Sequence, residues 1–293
     1  DYDRDGLMES PEENHPRGIA TYWEAGGPHA ETGTDLVASQ IAALKAYARI
    51  LLATKNGHEA TKYFNRANNL FDEFNEKWWY KDKDRFYSSH LKNEVFDTTL
   101  IPAMQIFSLY WDAVDYNRKP ALFSNLEEGV NVEENSYLAE VYYKNGFIEK
   151  GFEHLMNQLD PNLARKEYPE NSYTAIGTII TQLIGLKSYA TEQSILTRSG
   201  LPADTKWIKA RNIPVQNRLI NILQVGQGET EIKLVKGNPI IWHSRFPGEY
   251  PELMVNGKRR STKINSNERG SVETQFAVTL KEGQTIRIKI PKI

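Results

Sequence analysis

The stretch Thr34-Asp-Leu-Val-Ala-Ser-Gln-Ile-Ala-Ala-Leu44 decides how the first half of the chain folds. Its apolar residues recur every three or four positions and continue the same stripe to residue 51; they are Val37, Ile41, Leu44, Ala48 and Leu51. This spacing places them on one face of a helix. Asn56-Gly57 then ends the pattern, because Asn and Gly favour turns. The stretch therefore predicts a long helix that buries one face.

Six further segments carry helical spacing, at residues 60–74, 98–112, 120–127, 134–144, 147–159 and 171–188. Short turns join most of the seven helices, a pattern typical of stacked antiparallel hairpins. The aromatic-rich segment from Trp78 to His90 is an exception, since Asp82-Lys-Asp84 within it predicts a small β-hairpin.

The pattern changes after Ile195. Six strand-like segments follow, at residues 219–223, 231–235, 239–242, 252–255, 274–279 and 285–290, separated by Gly-, Asn- and Pro-rich turns. Short strands at this spacing predict a small antiparallel β-sandwich. The fold class is therefore α+β and multidomain, with a helical domain at 1–190 and a sandwich at 191–293. Trp207, Trp242 and Tyr250 in the sandwich are either sugar platforms or core aromatics, and the core interpretation is favoured.

Composition excludes several classes of protein. The chain of 293 residues has 36 Lys and Arg against 38 Asp and Glu, a net charge of -2, which offers no electrostatic footprint for nucleic acid or a membrane surface. It has no cysteine, which removes disulfides and Cys-ligated metals. We find no run of about 18 apolar residues and expect no membrane span.

Glu24 is the first candidate for catalysis. It lies in the Gly- and Pro-rich segment Thr21-Tyr-Trp-Glu24-Ala-Gly-Gly-Pro28, shortly before the first long helix. Trp23 beside it offers an apolar wall that keeps a carboxyl group protonated, as a general acid requires. The alternative is that Glu24 is a surface carboxylate in an ordinary loop. The local features of this segment, taken alone, favour that alternative.

Glu170 is the second candidate, in the segment Arg165-Lys-Glu167-Tyr-Pro-Glu170-Asn-Ser-Tyr173 before the last predicted helix. The dipole and free amides of a helix N-terminus stabilise an ionised carboxylate, which suits a general base. The alternative is helix capping by Asn171 and Ser172 without catalysis, which is favoured when this segment is taken alone.

Glu24 and Glu170 both lie where a loop leads into a helix. If the N-terminal ends of these two helices face the same way, the two carboxyl groups lie close together. Aromatic or polar residues near them are candidates for binding sugar: Tyr22, Trp23, His29, Tyr168 and Trp78. Sugar hydrolysis uses one carboxylic acid to protonate the glycosidic oxygen, one carboxylate to activate water, and aromatic rings to stack on the sugar. We therefore predict Glu24 and Glu170 as a catalytic pair with a carbohydrate substrate.

The order of these motifs resembles that of glucoamylase-like, six-hairpin glycoside hydrolases. In that family a Trp-Glu loop before the sixth helix of an (α/α)6 barrel carries the general acid, and a Glu before the twelfth helix is the general base. Trp23-Glu24, the helix from Thr34 and Glu170 match these positions. Ala25 stands where the family often has a second Glu, which leaves the sugar open.

The resemblance also has consequences for the fold and for partners. It implies that residues 1–190 form a partial (α/α)6 toroid, the C-terminal half of a barrel. The chain would be the C-terminal part of a longer enzyme, with the missing N-terminal half as its partner. It further implies an inverting mechanism that requires no cofactor.

Asp1-Tyr-Asp3-Arg-Asp5-Gly6, with Glu12 at the twelfth position, fits the spacing of a calcium-binding loop. Asp1, Asp3, Asp5 and Glu12 are therefore candidate ligands for Ca²⁺. The alternative is an Asp- and Gly-rich turn without metal, which is favoured because Pro11 interrupts the loop and flanking helices are missing.

Three other functions remain open from the residues: a glycoside phosphorylase on the same fold, a polysaccharide lyase that uses Tyr173 with His90 or His154, and a non-catalytic carbohydrate-binding protein. The opening residues read as the middle of a loop. We therefore expect a fragment of a bacterial protein, from the periplasm or outside the cell rather than the cytoplasm.

Overall fold

The computed structural model describes residues 6–8, 32–91, 95–124, 126, 130–266 and 271–291. The chain divides into two compact units, Asp1–Val141 and Tyr142–Ile293, and the division falls within a helix. The predicted boundary between the domains 1–190 and 191–293 lies elsewhere, where the helical pattern changes to long strands. This division into domains stays a prediction.

Seven α-helices lie in the described ranges, as the periodicity predicts. They are α1 (Thr34–Ala53), α2 (Gly57–Lys77), α3 (Pro102–Tyr110), α4 (Lys119–Ser124), α5 (Val132–Lys144), α6 (Ile148–Gln158) and α7 (Pro169–Thr178). In the first unit α1 packs against α2 and α3. Asn56 begins α2, because its side chain accepts a hydrogen bond from the backbone N–H of Glu59 at 3.4 Å. The closed arrangement of a toroid remains a prediction.

Helix α1 is long and apolar enough to cross a membrane by length and composition alone, with a mean hydropathy of 1.4. It is the one such helix in the described ranges, and its sequence gives no unbroken apolar run because Lys45 and Arg49 interrupt it. This is weak evidence for a span, since a core helix meets the same criteria. The first residues of α1, from Thr34 to Ala38, are buried, as expected of a core helix.

Two small sheets complete the described part of the first unit. The hairpin predicted between Trp78 and His90 is confirmed, with β2 (Trp79–Tyr80) paired to β3 (Arg85–Phe86). A three-stranded sheet has the order β1 (Thr32–Gly33), β4 (Ser89–His90), β5 (Phe96–Asp97). The backbone N–H of Thr34 donates to the Ser88 carbonyl at 3.1 Å, which fastens the start of α1 to this sheet.

The described part of the second unit contains a β-sandwich of eleven strands. They are β6 (Leu186–Tyr189), β7 (Ser194–Thr197), β8 (Trp207–Val215), β9 (Arg218–Val225), β10 (Glu229–Lys236), β11 (Ile240–Pro247), β12 (Glu252–Val255), β13 (Lys258–Ser261), β14 (Lys263–Ser266), β15 (Val272–Leu280) and β16 (Thr285–Lys289). One sheet has the order β13-β12-β16-β10-β9-β8 and the other β14-β15-β11-β7-β6. In the described ranges all of its strand pairs are antiparallel except β7 with β11, as the predicted antiparallel sandwich requires apart from this pair. The six predicted strands correspond to β9, β10, β11, β12, β15 and β16, and the other five strands were not predicted.

The aromatics of the sandwich divide between core and surface. Trp242 is fully buried and its indole Nε1–H donates to the Thr197 hydroxyl at 2.9 Å. Tyr250 packs against the same apolar cluster, which joins side chains of both sheets. Both residues confirm the core interpretation. Trp207 contradicts it, because 62% of this residue is exposed on the edge strand β8.

Gly185 explains why the last helix ends earlier than predicted. Helix α7 continues as one π-helical turn over Ile179–Leu183, and β6 begins at Leu186. Gly185 between them has a φ of +72°, and its backbone lies so close to the next strand that a Cβ atom would be 1.6 Å from the Arg198 carbonyl oxygen. The predicted helix over 171–188 is therefore wrong after Leu183, because glycine redirects the chain into the sandwich.

We predict that Gly185→Ala destabilises the protein by at least about 3 kcal/mol, since it combines a left-handed conformation with a backbone clash. Gly226→Ala is the control: Gly226 also has a positive φ, but nothing lies within 4 Å of its Cβ position. That variant should lose only about 1 kcal/mol. Urea unfolding measures both values, and equal losses would contradict this explanation.

Candidate functional site

Glu170 lies in the first turn of α7, directly after Pro169. Its side chain is half-buried, and the Oε2 atom is buried without a hydrogen-bond partner. A buried carboxylate oxygen without a hydrogen-bond donor is unusual in a folded protein. Glu170 Oε2 is therefore an unsatisfied acceptor in the described structure.

Three buried polar residues hold the backbone of Glu170. The Thr174 hydroxyl, one turn along α7, donates to the Glu170 carbonyl oxygen at 2.5 Å. The side-chain amide of Gln158, the last residue of α6, donates to the Thr174 hydroxyl oxygen at 3.0 Å. Asn171 Nδ2 donates in turn to the Gln158 carbonyl oxygen at 3.2 Å. This α6–α7 network fixes the turn that carries the Glu170 carboxylate.

The network also excludes the capping role that the sequence suggested for Asn171. Tyr168 is the N-cap residue of α7, and no side chain caps the helix there. Asn171 is 5% exposed and donates to α6 instead, while its Oδ1 atom is buried without a partner. The capping interpretation of this segment is therefore wrong for Asn171.

Tyr168 was predicted to bind substrate through its ring. It is half-buried, and the Arg165 guanidinium lies 4.2 Å from its ring centroid. A cation over the face of a tyrosine is electrostatically favourable. One face of the ring is thus occupied by Arg165, and the substrate role of Tyr168 stays a prediction.

The remaining predicted site residues of the first unit, apart from Trp78, lie outside the described residues. They are Glu24, Trp23, Tyr22 and His29 for the sugar, and Asp1, Asp3, Asp5 and Glu12 for calcium. Their roles therefore stay predictions. Within the described ranges, no group of three or more His, Asp or Glu side chains is placed to hold a metal ion.

Trp78 is a packing residue rather than a sugar platform, which corrects the sequence prediction. It is 3% exposed, and its ring lies 5.2 Å from that of Phe96 and 6.0 Å from that of Phe74. A sugar needs an open ring face to stack on. The rings of Phe74 on α2 and Phe96 on β5 occupy that space instead.

Asp35 is a carboxyl group that the sequence analysis missed. It lies in the first turn of α1, is 7% exposed, and has a buried Oδ1 atom without a partner. Burial raises its pKa to about 7, and this outweighs the lowering by the backbone N–H groups of Leu36 and of Asp35 itself. At neutral pH this burial costs about 4 kcal/mol of stability. An Asp at a helix start resembles an ordinary cap, so no sequence signal singles it out.

The histidines considered for a lyase are both packed against aromatic rings. His154 on α6 is 5% exposed and stacks on Tyr142, with ring centroids 5.1 Å apart. His90 on β4 is half-buried, with its ring 5.0 Å from that of Phe96. In the same unit as His154, Tyr173 is 52% exposed on α7. The buried position of His154 disfavours a role as a base for an external substrate.

One open cavity of about 350 Å³ lies on the sandwich. Its lining is Thr191, Glu192, Gln193, Pro239, Ile240, Ile241 and Thr279. None of these residues belongs to the predicted site.

Comparison with known proteins finds similarity in structure only. The sequence matches no protein-family model and no curated protein. The structure is similar to an α-L-rhamnosidase from Dictyoglumus thermophilum, with a TM-score of 0.51 and 12% identity over 85% of this chain and 31% of that one. It is also similar to a GH78 family rhamnosidase of Bacillus sp. GL1, with a TM-score of 0.52 and 13% identity over 78% of this chain and 27% of that one.

A third similar structure is described as a sialidase, with a TM-score of 0.56 and 15% identity over 78% of this chain and 26% of that one. The chain thus spans less than a third of the length of each of these three structures. At these identities the likeness shows the fold: α-helices followed by a sandwich of β-strands, as in these larger proteins.

We predict that Trp78→Ala lowers the free energy of unfolding by about 3–5 kcal/mol, because it opens a cavity beside the rings of Phe74 and Phe96. Trp111→Ala is the matched control, since Trp111 is 40% exposed, and it should cost less than about 1 kcal/mol. Denaturant unfolding gives both values. A Trp78→Ala protein of unchanged stability would restore Trp78 as a candidate platform.

Proposed function

We propose that this protein is a glycoside hydrolase that cleaves glycosidic bonds of oligo- or polysaccharides with inversion, with Glu24 as general acid and Glu170 as general base. The observation that carries the class of reaction is the shared fold, since the two rhamnosidases and the sialidase that this structure resembles all act on glycosides. The proposal concerns the whole enzyme, of which the other half of the helical ring would be the partner of this chain.

The mechanism assigns a different task to each carboxyl group. Glu24 gives its proton to the glycosidic oxygen as the bond to the anomeric carbon breaks. Glu170 takes a proton from water, and the oxygen of that water bonds to the anomeric carbon from the opposite face. The product therefore has the opposite anomeric configuration, and each carboxyl group ends the step in the protonation state in which the other began.

The environment of Glu170 supports the role of base. A general base must be ionised and must present a free oxygen to water. Oε2 of Glu170 is buried and makes no hydrogen bond in the described structure, so the attacking water would supply the donor that this oxygen lacks. The α6–α7 network fixes the backbone of Glu170 through Thr174, so the carboxylate position follows from the fold rather than from contact with substrate.

The environments of Glu170 and His154 also bear on the alternative functions, a phosphorylase, a lyase and a binding protein. A glycoside phosphorylase attacks with phosphate and needs no base at Glu170, so the presence of a glutamate at this position favours hydrolysis. A polysaccharide lyase needs an accessible proton-abstracting pair, whereas His154 is buried against Tyr142. A carbohydrate-binding protein without catalysis would bind sugar without turnover.

We predict that Glu170→Gln lowers kcat by about a thousandfold, because the amide cannot accept the proton of water. Glu167→Gln is the control, since Glu167 lies three residues earlier and is exposed; it should keep its activity within about twofold. Glu24→Gln should lose activity to a similar extent as Glu170→Gln. A panel of 4-nitrophenyl glycosides, starting with the α-L-rhamnoside, measures turnover, and wild-type activity of Glu170→Gln would exclude Glu170 as base.

We also predict that Thr174→Val lowers kcat by about tenfold with KM within about twofold, because it releases the Glu170 backbone from Gln158. Thr178→Val is the control: Thr178 is buried one turn later on α7, and its hydroxyl has no partner. Thr174→Ser should keep the wild-type rate, because it retains the hydroxyl group. If both valine variants lose kcat equally, the network does not position Glu170.

A further inference from the structure

The start of α1 contains an arrangement that the proposed hydrolysis does not use. Asp35 is 93% buried, since 7% of it is exposed, and its Oδ1 atom has no hydrogen-bond partner. Its neighbours along the helix, Leu36, Val37 and Ala38, are buried and apolar. A buried carboxylate normally has a cation or several hydrogen-bond donors beside it, because burying an isolated charge is costly. A neutral carboxylic acid avoids that cost.

Within the described ranges, no charged side chain is among the causes of the raised pKa of Asp35. The described ionisable side chains on the elements that pack against the first half of α1, or on strands paired to β1, are His90 on β4, Asp97 on β5, Tyr110 at the end of α3, and Arg66, Asp72, Glu73, Glu76 and Lys77 on α2. Lys77 pairs with Glu73 at 2.7 Å. None of these groups contributes to the raised pKa of Asp35, whose main cause is burial.

Hydrogen bonds at this point join the start of α1 to β4 and to the residues before it. The Thr34 N–H donates to the Ser88 carbonyl at 3.1 Å, the Thr34 hydroxyl donates to the Tyr87 carbonyl at 2.5 Å, and Thr32 pairs with His90. Asp35 directly follows Thr34, so a movement of this helix start that brings the Asp35 carboxyl group to water would loosen the β1–α1 junction.

We propose that Asp35 is a proton-binding site that switches the β1–α1 junction: with its proton bound the junction is closed, and when the proton leaves to solvent the carboxylate turns towards water and the junction opens. The inference goes beyond the proposed hydrolysis and does not depend on it. The ligand is a proton, and the groups that respond are the hydrogen bonds of Thr34 to Ser88 and Tyr87.

The direction of the response follows from linkage. In the open junction, the carboxyl group has the ordinary pKa of 3.8, whereas burial raises the pKa to about 7 in the closed junction. Below pH 4 both forms hold the proton and the closed form is at its most stable. As the pH rises towards 7, only the open form loses its proton, so opening becomes more favourable. Above pH 7 both forms are ionised and the effect levels off.

Amide hydrogen exchange of the intact chain, corrected for the intrinsic pH dependence of exchange, measures the opening directly. Between pH 5 and pH 8 the protection of the amides from Thr34 to Ala38 should fall on the order of a hundredfold in the wild type. In Asp35→Asn, which is neutral at every pH, protection should change less than about threefold. His90→Gln should behave as the wild type, which separates Asp35 from the histidine beside the junction.

The proposal is overturned if wild-type protection is constant over this range, if Asp35→Asn loses protection to the same extent, or if His90→Gln abolishes the effect. Should Asp35→Asn fail to fold, the ¹³C carboxyl shift of Asp35 in the wild type gives the answer: titration near neutral pH supports the site, and titration near pH 4 overturns it. Neither measurement uses glycosidase activity, so absence of activity would leave this result unaffected.

Discussion

The hydrogen bonds that fasten the start of α7 to the end of α6 determine where the Glu170 carboxylate can be. Helix α7 begins without a side-chain cap, so its first turn would fray if only its own residues held it. Bonds from Gln158 to Thr174 and from Asn171 to Gln158 join the two helices instead, and all three residues are buried, where hydrogen bonds are strong and costly to break. Glu170 thus has a fixed backbone and a carboxylate whose Oε2 atom is buried without a hydrogen-bond partner, and the proposed base depends on both features.

The Asp35 carboxyl group differs from that of Glu170 in the extent of its burial. Both Glu170 and Asp35 lie in the first turn of a helix, where the dipole favours an ionised acid. Glu170 is half-buried, whereas Asp35 is buried so completely that desolvation outweighs the dipole and the pKa rises to about 7. Burial, rather than position on a helix, therefore raises the pKa of the Asp35 carboxyl group.

Much of the fold could be predicted from local sequence. Periodicity located the seven helices, and strands β9, β10 and β16 alternate between buried and half-buried or exposed residues, which is the pattern that reveals a strand. Strands β7 and β8 were missed for physical reasons. The four residues of β7 are all buried and give no alternation, and β8 is an edge strand that contains Pro214 and exposes Trp207. The end of α7 was misplaced because the clash at Gly185 involves Arg198, which is distant in sequence.

The candidate site was predictable only in part. A Pro followed by Glu before a helical pattern pointed to Glu170, because helix starts have a local signature. The contact of Gln158 with Thr174 and the burial of Asp35 arise from tertiary packing, and no spacing along the chain encodes either. Trp78 was misassigned for the same reason, since its aromatic neighbours form a core cluster in space rather than the lining of a pocket.

We propose that two carboxyl groups, at Glu24 and Glu170, lie on opposite sides of one glycosidic bond in the whole enzyme. A crystal structure of the enzyme with a bound oligosaccharide measures this most directly, through the distance between the two carboxyl groups. We expect about 6.5–9.5 Å, with the anomeric carbon between them and a water against Glu170 Oε2. Carboxyl groups on different faces of the molecule, or a sugar bound away from Glu170, would contradict it.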